Sequence, residues 1–196
     1  MALKICRFVA FLFLALVLGA GLAHLFTMPS KMTLSGEAYL TVQQLYRDWT
    51  LLNVALACTV LSLLVLVWQL WPRSGRRLFS GGYSAAARAK GARTVRWRAL
   101  VLTLLALLAV LGDEIIIWSL ARSADLATRN WTVLPADWMA LRAQWEYAHA
   151  AAAVLDLVAF AALVLSVLVG ERPVSSRGPD EESGGRGAPL LFMAAR

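Results

Sequence analysis

The sequence predicts an all-α fold, an integral-membrane four-helix bundle, and three observations predict it. The first is composition: the 196 residues are 60% hydrophobic and only 16% charged, whereas a soluble domain is about half apolar and a quarter charged. The second is the arrangement of the apolar residues, which form four runs each close to the roughly 20 residues that cross a bilayer. The third is the placement of charge. Segment 71–100 carries Arg73, Arg76, Arg77, Arg88, Lys90, Arg93, Arg96 and Arg98 and no acid, while the other two connections mix signs. The length suits one compact bundle rather than two domains.

The first helix is expected at 5–27, from the apolar run that follows Lys4. A basic start and the small residues Gly19, Ala20, Gly21 and Ala23 also suit a signal peptide, but signal cores are about 7–15 residues and this run is longer. The second helix is expected at 50–71, ended by Pro72, which lacks an N–H and restricts the residue before it. Trp68 and Trp71 fit an interfacial aromatic belt there. The third is expected at 97–121, apolar until Asp113 and Glu114. The fourth is expected at 137–169: nothing between Asp137 and Ala148 breaks a helix, and Pro135 precedes it as helix starts often require. Residues 171–196 are rich in Gly, Pro, Ser and charge and are expected to be a disordered tail. Residues 36–49 look amphipathic, with Val42, Leu45, Tyr46 and Trp49 on one face, as for a connecting helix or a lid at the interface.

Lys and Arg accumulate on the cytoplasmic side of membrane proteins. The basic 71–100 segment is therefore expected in the cytoplasm, with both termini, in a bacterial-type inner membrane. Topology thus explains the net charge of +7, and no nucleic-acid partner is expected. Cys6 and Cys58 form no CxxC or metal-type cluster and are expected as unbonded buried residues.

The polar residues inside the runs carry the functional argument. At about 100° per residue, Arg142, Trp145, Glu146, His149, Ala153 and Asp156 fall on one stripe of the fourth helix. Ionisable groups in lipid cost about 2.5–3.5 kcal/mol each, so the stripe faces the bundle interior or a wet cavity. Asp156 lies about 10 Å deeper than His149 at 1.5 Å per residue. His24, Asp113, Glu114, Glu146, His149 and Asp156 then converge on the outer half of the bundle, with Asn53 near them. One reading is an internal polar network in which Arg142 pairs with Glu146 at i,i+4. The other is an active site or pathway, which intramembrane ionisable clusters usually mark.

Glu146 and His149 at i,i+3 have the spacing by which di-iron bundles supply two ligands to one metal, but those bundles carry two such motifs. A mononuclear site of His24, His149 and Glu146 is the metal reading. Axial ligation of a haem by the two histidines has no further support. The cofactor is thus none or a single metal ion.

Three stretches, 21–31 (with His24, Pro29 and Lys31), 42–47 (with Tyr46 and Arg47) and 138–149 (with Arg142, Trp145, Glu146 and His149), resemble a bacterial family of small four-helix membrane proteins of unknown function that includes the anthrone oxygenases. The resemblance covers most of residues 1–170. It implies a four-helix membrane scaffold and, by analogy with the fungal members, insertion of oxygen into a polycyclic anthrone without an obvious cofactor. His149 or Glu146 would then be the base and Arg142 the group that steadies the oxyanion.

The sequence therefore points to a redox or oxygenase-like enzyme for a small lipophilic compound, with Arg142, Glu146, His149, Asp113, Glu114 and Asp156 as candidate catalytic residues. The lipid bilayer is the expected surrounding partner. The alternatives are a non-enzymatic subunit, assembling with itself or with a membrane partner, and a small-solute carrier.

Overall fold

The computed structural model describes residues 1–46, 50–72 and 83–169. The expectations for Arg47, Asp48 and Trp49, for Arg73, Arg76 and Arg77, and for the tail at 171–196 lie outside the described residues, as does the side chain of Arg88. The elements in chain order are α1 (Ala2–Lys31), α2 (Gly36–Gln43) with a 3-10 turn (Gln44–Tyr46), α3 (Thr50–Leu70), α4 (Tyr83–Ile116), a π turn (Ile117–Ala121), α5 (Arg122–Ala127) and α6 (Trp138–Leu168).

Among the described residues, four segments are long and apolar enough to cross a membrane: Ala2–Lys31, Leu51–Leu70, Lys90–Ala127 and Trp138–Leu168. They pack as a ring in which α1 meets α3 and α6, and α4 meets α3 and α6. Consecutive spans run in opposite directions, so residues 32–46 and the connection 128–137 lie at the same end, away from Met1. That end is called the distal end below.

The packing is that of a bundle solvated by lipid. Small residues turn inward: Ala10, Ala106, Ala109, Ala159 and Ala162 join Leu14, Leu63, Leu66, Val110 and Leu163 in the central cluster. Large apolar residues turn outward, including Phe8, Leu12 and Leu16 on α1, Leu61 and Leu64 on α3, Leu105 and Leu108 on α4 and Leu157 and Leu165 on α6. Lipid tails exert no hydrophobic drive between helices, so close backbone approach through small residues does the packing. Hydroxyls within the spans are satisfied on their own helix: Thr59 Oγ donates to Ala55 O at 2.9 Å and Thr103 Oγ to Ala99 O at 2.8 Å. Cys6 and Cys58 form no disulfide and are half-buried rather than buried, and Cys6 Sγ accepts from Gln69 Nε2 at 3.1 Å.

The helix ends differ from expectation where local chemistry overrides a single signal. α1 runs through Pro29 to Lys31 instead of stopping at 27. A proline two residues from a helix end forfeits only the bond to Leu25 O, and the backbone bond from Met32 N to Met28 O, at 2.9 Å, still closes the last turn. α4 begins at Tyr83, ahead of the expected 97, and helical structure continues past 121 to Ala127. α3 ends at Leu70, and Arg96 from α4 seals it, donating to Gln69 O, Leu70 O and Trp71 O at 2.8, 3.0 and 3.1 Å.

The amphipathic segment is helical, but its buried face is Tyr39 and Gln43, not Val42, Leu45 and Tyr46. Leu45 is 72% exposed. The 3-10 turn at Gln44–Tyr46 resets the angle per residue, so the α-helical face projected from the sequence fails beyond Gln43.

Candidate functional site

The stripe on α6 is buried as a unit. Arg142, Trp145, Glu146, Ala153 and Asp156 are all buried and His149 is half-buried. Facing it, α1 supplies His24 and Lys31. Seven residues apart, these two lie on one face of a helix, and both are buried.

Lys31 is the hub of the upper part of the site. Its Nζ lies 2.6 Å from Glu146 Oε2, with both side chains out of solvent, and donates to His24 Nδ1 at 3.2 Å. The second oxygen of Glu146 accepts from the Tyr39 hydroxyl at 2.9 Å, and that hydroxyl accepts from Gln43 Nε2 at 2.5 Å. The ammonium also sits 5.4 Å from the ring centre of Trp145 and 5.5 Å from that of Tyr46. Burial, and then the Glu146 carboxylate beside it, push the Tyr39 phenol well above its usual pKa. Burial also raises that of Tyr46.

This arrangement corrects the expected Arg142–Glu146 pair. Arg142 Nη1 instead donates to Leu34 O at 2.9 Å, and its guanidinium stacks over Trp138 at 4.8 Å and Tyr39 at 5.6 Å. A lysine from a facing helix reaches the carboxylate head-on. Arg142 then satisfies a backbone carbonyl of the 32–35 connection and anchors it.

Beside the hub, four rings form a cluster. His24 and His149 have ring centres 4.9 Å apart, His149 lies 3.8 Å from Trp145, and Tyr46 lies 4.4 Å from His24 and 5.8 Å from Trp145. The hydrogen bonds assign the tautomers. An ammonium only donates, so His24 Nδ1 is the acceptor and its Nε2 carries the proton. A carbonyl only accepts, so His149 Nδ1 donates to Trp145 O at 2.8 Å and its Nε2 keeps the lone pair. The two imidazoles thus differ in tautomer, and both rings border the same space.

That space is a cavity of about 440 Å³, within the range that holds a small molecule. His24, Asp113, Glu114, His149 and Asp156 line it, with Asn53 from α3. The structure therefore brings five of the seven expected site residues to one cavity. Glu146 and Arg142 do not line it. They stand behind the wall, holding Lys31 and the 32–35 connection in place. Gly21 lets α1 approach α6: a Cβ there would lie 3.2 Å from Ala153 Cβ and 3.6 Å from Asp156 Oδ2. The central aliphatic cluster closes the helices beyond the cavity.

Two wall features carried no signal that was read in the sequence. The π turn at Ile117–Ala121 follows Asp113 and Glu114 by one turn and contributes Ile117 and Ala121 to the lining; such turns frequently occur at functional sites. Arg129, Asn130 and Trp131 have φ of 50, 54 and 57°, a left-handed turn built without glycine. It swings Trp131 into the wall, where its indole N–H donates to Asp125 Oδ1 at 3.0 Å and its carbonyl accepts from Gln44 Nε2 at 2.9 Å. Lys31 and Tyr39 were also missed. The i,i+7 spacing of His24 and Lys31 and the i,i+4 spacing of Tyr39 and Gln43 were the available signals.

Among the described residues, no group of three or more His, Cys, Asp or Glu side chains is arranged to hold a metal ion. In the expected trio, Lys31 takes one Glu146 oxygen and one His24 nitrogen, and a backbone carbonyl takes His149 Nδ1. No family model, curated protein or solved structure matches the chain.

Proposed function

We propose that this membrane protein is an acid–base enzyme of the anthrone-oxygenase-like kind, acting on a small lipophilic carbon acid inside the distal cavity. The observation that carries the reading is the pair of opposed tautomers at His24 and His149 in one cavity. His149 Nε2 takes a proton from an activated CH₂ group, and the electron pair left on carbon is delocalised toward the neighbouring carbonyl. His24 Nε2–H donates to that developing oxyanion. Dioxygen adds to the carbanion, and the resulting hydroperoxide loses water. The sum is CH₂ plus O₂ giving C=O plus H₂O, with no external reductant.

The three stretches that carry the family resemblance supply His24, Lys31, Gln43, Tyr46, Trp145 and His149, which supports assigning the chemistry to this cavity. Glu146 acts at one remove: it fixes Lys31, and Lys31 fixes the His24 tautomer. The basic 71–100 segment supports an inner-membrane topology with both termini in the cytoplasm and the cavity in the opposite half of the bilayer.

The test is oxygen uptake and quinone formation by the detergent-purified chain supplied with a tricyclic anthrone. Turnover is expected, falling by about 10²–10⁴-fold in His149→Ala, the usual contribution of a general base, with the thermal transition retained. Failure of the purified chain to consume oxygen with the anthrone, or full activity in the His149→Ala variant, sinks the reading.

A further inference from the structure

We infer that the deep end of the cavity is a subsite for an organic ammonium group, held by Asp156 with Asp113 and Glu114. All three carboxyl groups line the same cavity, Asp156 from α6 and the other two from α4. Asp156 is 3% and Asp113 5% exposed. Asp156 Oδ1 is fully enclosed and has no hydrogen-bond partner. Among the described residues the three make no hydrogen bond or ion pair at all; the ion pair of the bundle is Lys31 with Glu146.

Among the described residues, no helix around the floor sends it a cation. α1 contributes Val17, Ala20 and Gly21, and α3 contributes Leu52, Asn53 and Leu56. Lys31 is committed to Glu146 and His24. Arg122 reaches the lining only at the mouth, eight residues beyond Glu114, or about 12 Å along a helix, and its guanidinium lies over Trp118 at 5.5 Å. A carboxylate in a span is costly unless a cation compensates it, so the floor has a deficit of one sign that a bound cation would fill.

The chemistry of that cation follows from the surroundings. Small hard metal ions need a closed shell of about six oxygens, and the described residues offer no metal-holding group. A cavity of about 440 Å³ holds an organic molecule. Above the acids the walls are the rings of His24, Trp145 and Tyr46, and aromatic faces attract ammonium groups. The proposal rests on the cavity being the binding site, as above, and adds a positively charged nitrogen at the deep end of the bound compound.

The experiment is a tryptophan-quenching titration of the detergent-purified full chain with benzyltrimethylammonium and with neopentylbenzene, its uncharged isostere. Saturable quenching is expected from the ammonium and not from the isostere. Asp156→Asn is expected to weaken ammonium binding at least about tenfold, as loss of a buried charge partner does. Asp113→Asn and the charged-to-neutral ratio in the unaltered chain decide the matter if Asp156→Asn does not fold. Equal binding of the two probes, or ammonium binding unchanged in both variants, overturns the proposal and leaves the carboxyl groups as carriers of a proton only. Full displacement by millimolar sodium or magnesium overturns the organic assignment. Oxygen uptake is not read here, so ammonium binding without turnover would sink the enzyme reading alone, and turnover without ammonium binding would sink this one.

Discussion

Lys31 Nζ lies 2.6 Å from Glu146 Oε2 inside a bundle where neither side chain meets solvent. The pair joins the last turn of α1 to the first turns of α6 and sets the His24 tautomer through the same ammonium. Removing one partner strands the other charge, which costs about 3–5 kcal/mol in buried pairs. Lys31→Met and Glu146→Gln are each expected to lower stability by that order. The double variant is expected to lose less than the sum, because it leaves no charge behind. Thermal unfolding of the four proteins in one detergent completes the cycle; strict additivity would show that the pair is not coupled.

Tyr39 makes stability depend on alkaline pH. Its pKa is raised above the ordinary phenol value of 10.0 by burial first and the Glu146 carboxylate second. A raised pKa means that the folded state holds the proton more tightly than the unfolded chain. The contribution is therefore complete below pH 10 and is lost as the pH climbs above it. Tyr39→Phe is expected to be less stable near neutrality, since Glu146 Oε1 loses its donor, by about 1–3 kcal/mol. Its melting temperature is expected to fall less than that of the unaltered chain between pH 9 and 11. Both proteins retain Tyr46, so the difference isolates Tyr39. Parallel curves would contradict the assignment.

Much of this site could be read from the sequence because one periodicity governed it. Trp145, Glu146, His149 and Asp156 sit on a single uninterrupted helix, so 100° per residue placed them on the buried side. Depth followed from helix rise, which brought Asp113, Glu114 and His24 to the same end. What escaped lay where regular geometry breaks. Lys31 was hidden by Pro29, which reads as a helix stop yet stands inside α1. The Tyr39–Gln43 face was hidden by the switch to a 3-10 turn. Trp131 was hidden by three left-handed residues with no glycine to announce them. The partner of Glu146 was misread for a different reason: an i,i+4 arginine is visible in sequence, and a lysine across the bundle is not.

Gly21 sets the distance between α1 and α6 at the level of Asp156. A Cβ there would approach Ala153 Cβ to 3.2 Å and Ala153 Cα to 3.3 Å. Backbone cannot retreat as a flexible side-chain end can, so the helices must part by a few tenths of an ångström. Gly21→Ala is expected to destabilise by about 1–3 kcal/mol, as overpacking does, even though alanine is the better helix former by about 1 kcal/mol. Gly19, which has nothing within 4 Å of its position, is the control: Gly19→Ala is expected to be neutral or stabilising. The two melting temperatures read against each other separate packing from propensity.

The left-handed turn at Arg129 gives the last prediction. Its φ of 50° places a side-chain-bearing residue in a conformation that costs about 1–2 kcal/mol. Arg129 is exposed, and its backbone N–H still donates to Leu126 O at 3.3 Å whatever its side chain. Glycine adopts the same conformation freely but loses more entropy on ordering, by about 0.5–1 kcal/mol. Arg129→Gly is therefore expected to stabilise the fold by up to about 1 kcal/mol. Trp131, two residues on, is held from the other side by Asp125, Gln44 and Thr128, so the cavity wall is expected to stay as it is. A rise in melting temperature with unchanged ligand quenching meets the expectation. A fall would mean that the arginine side chain contributes more than its backbone costs.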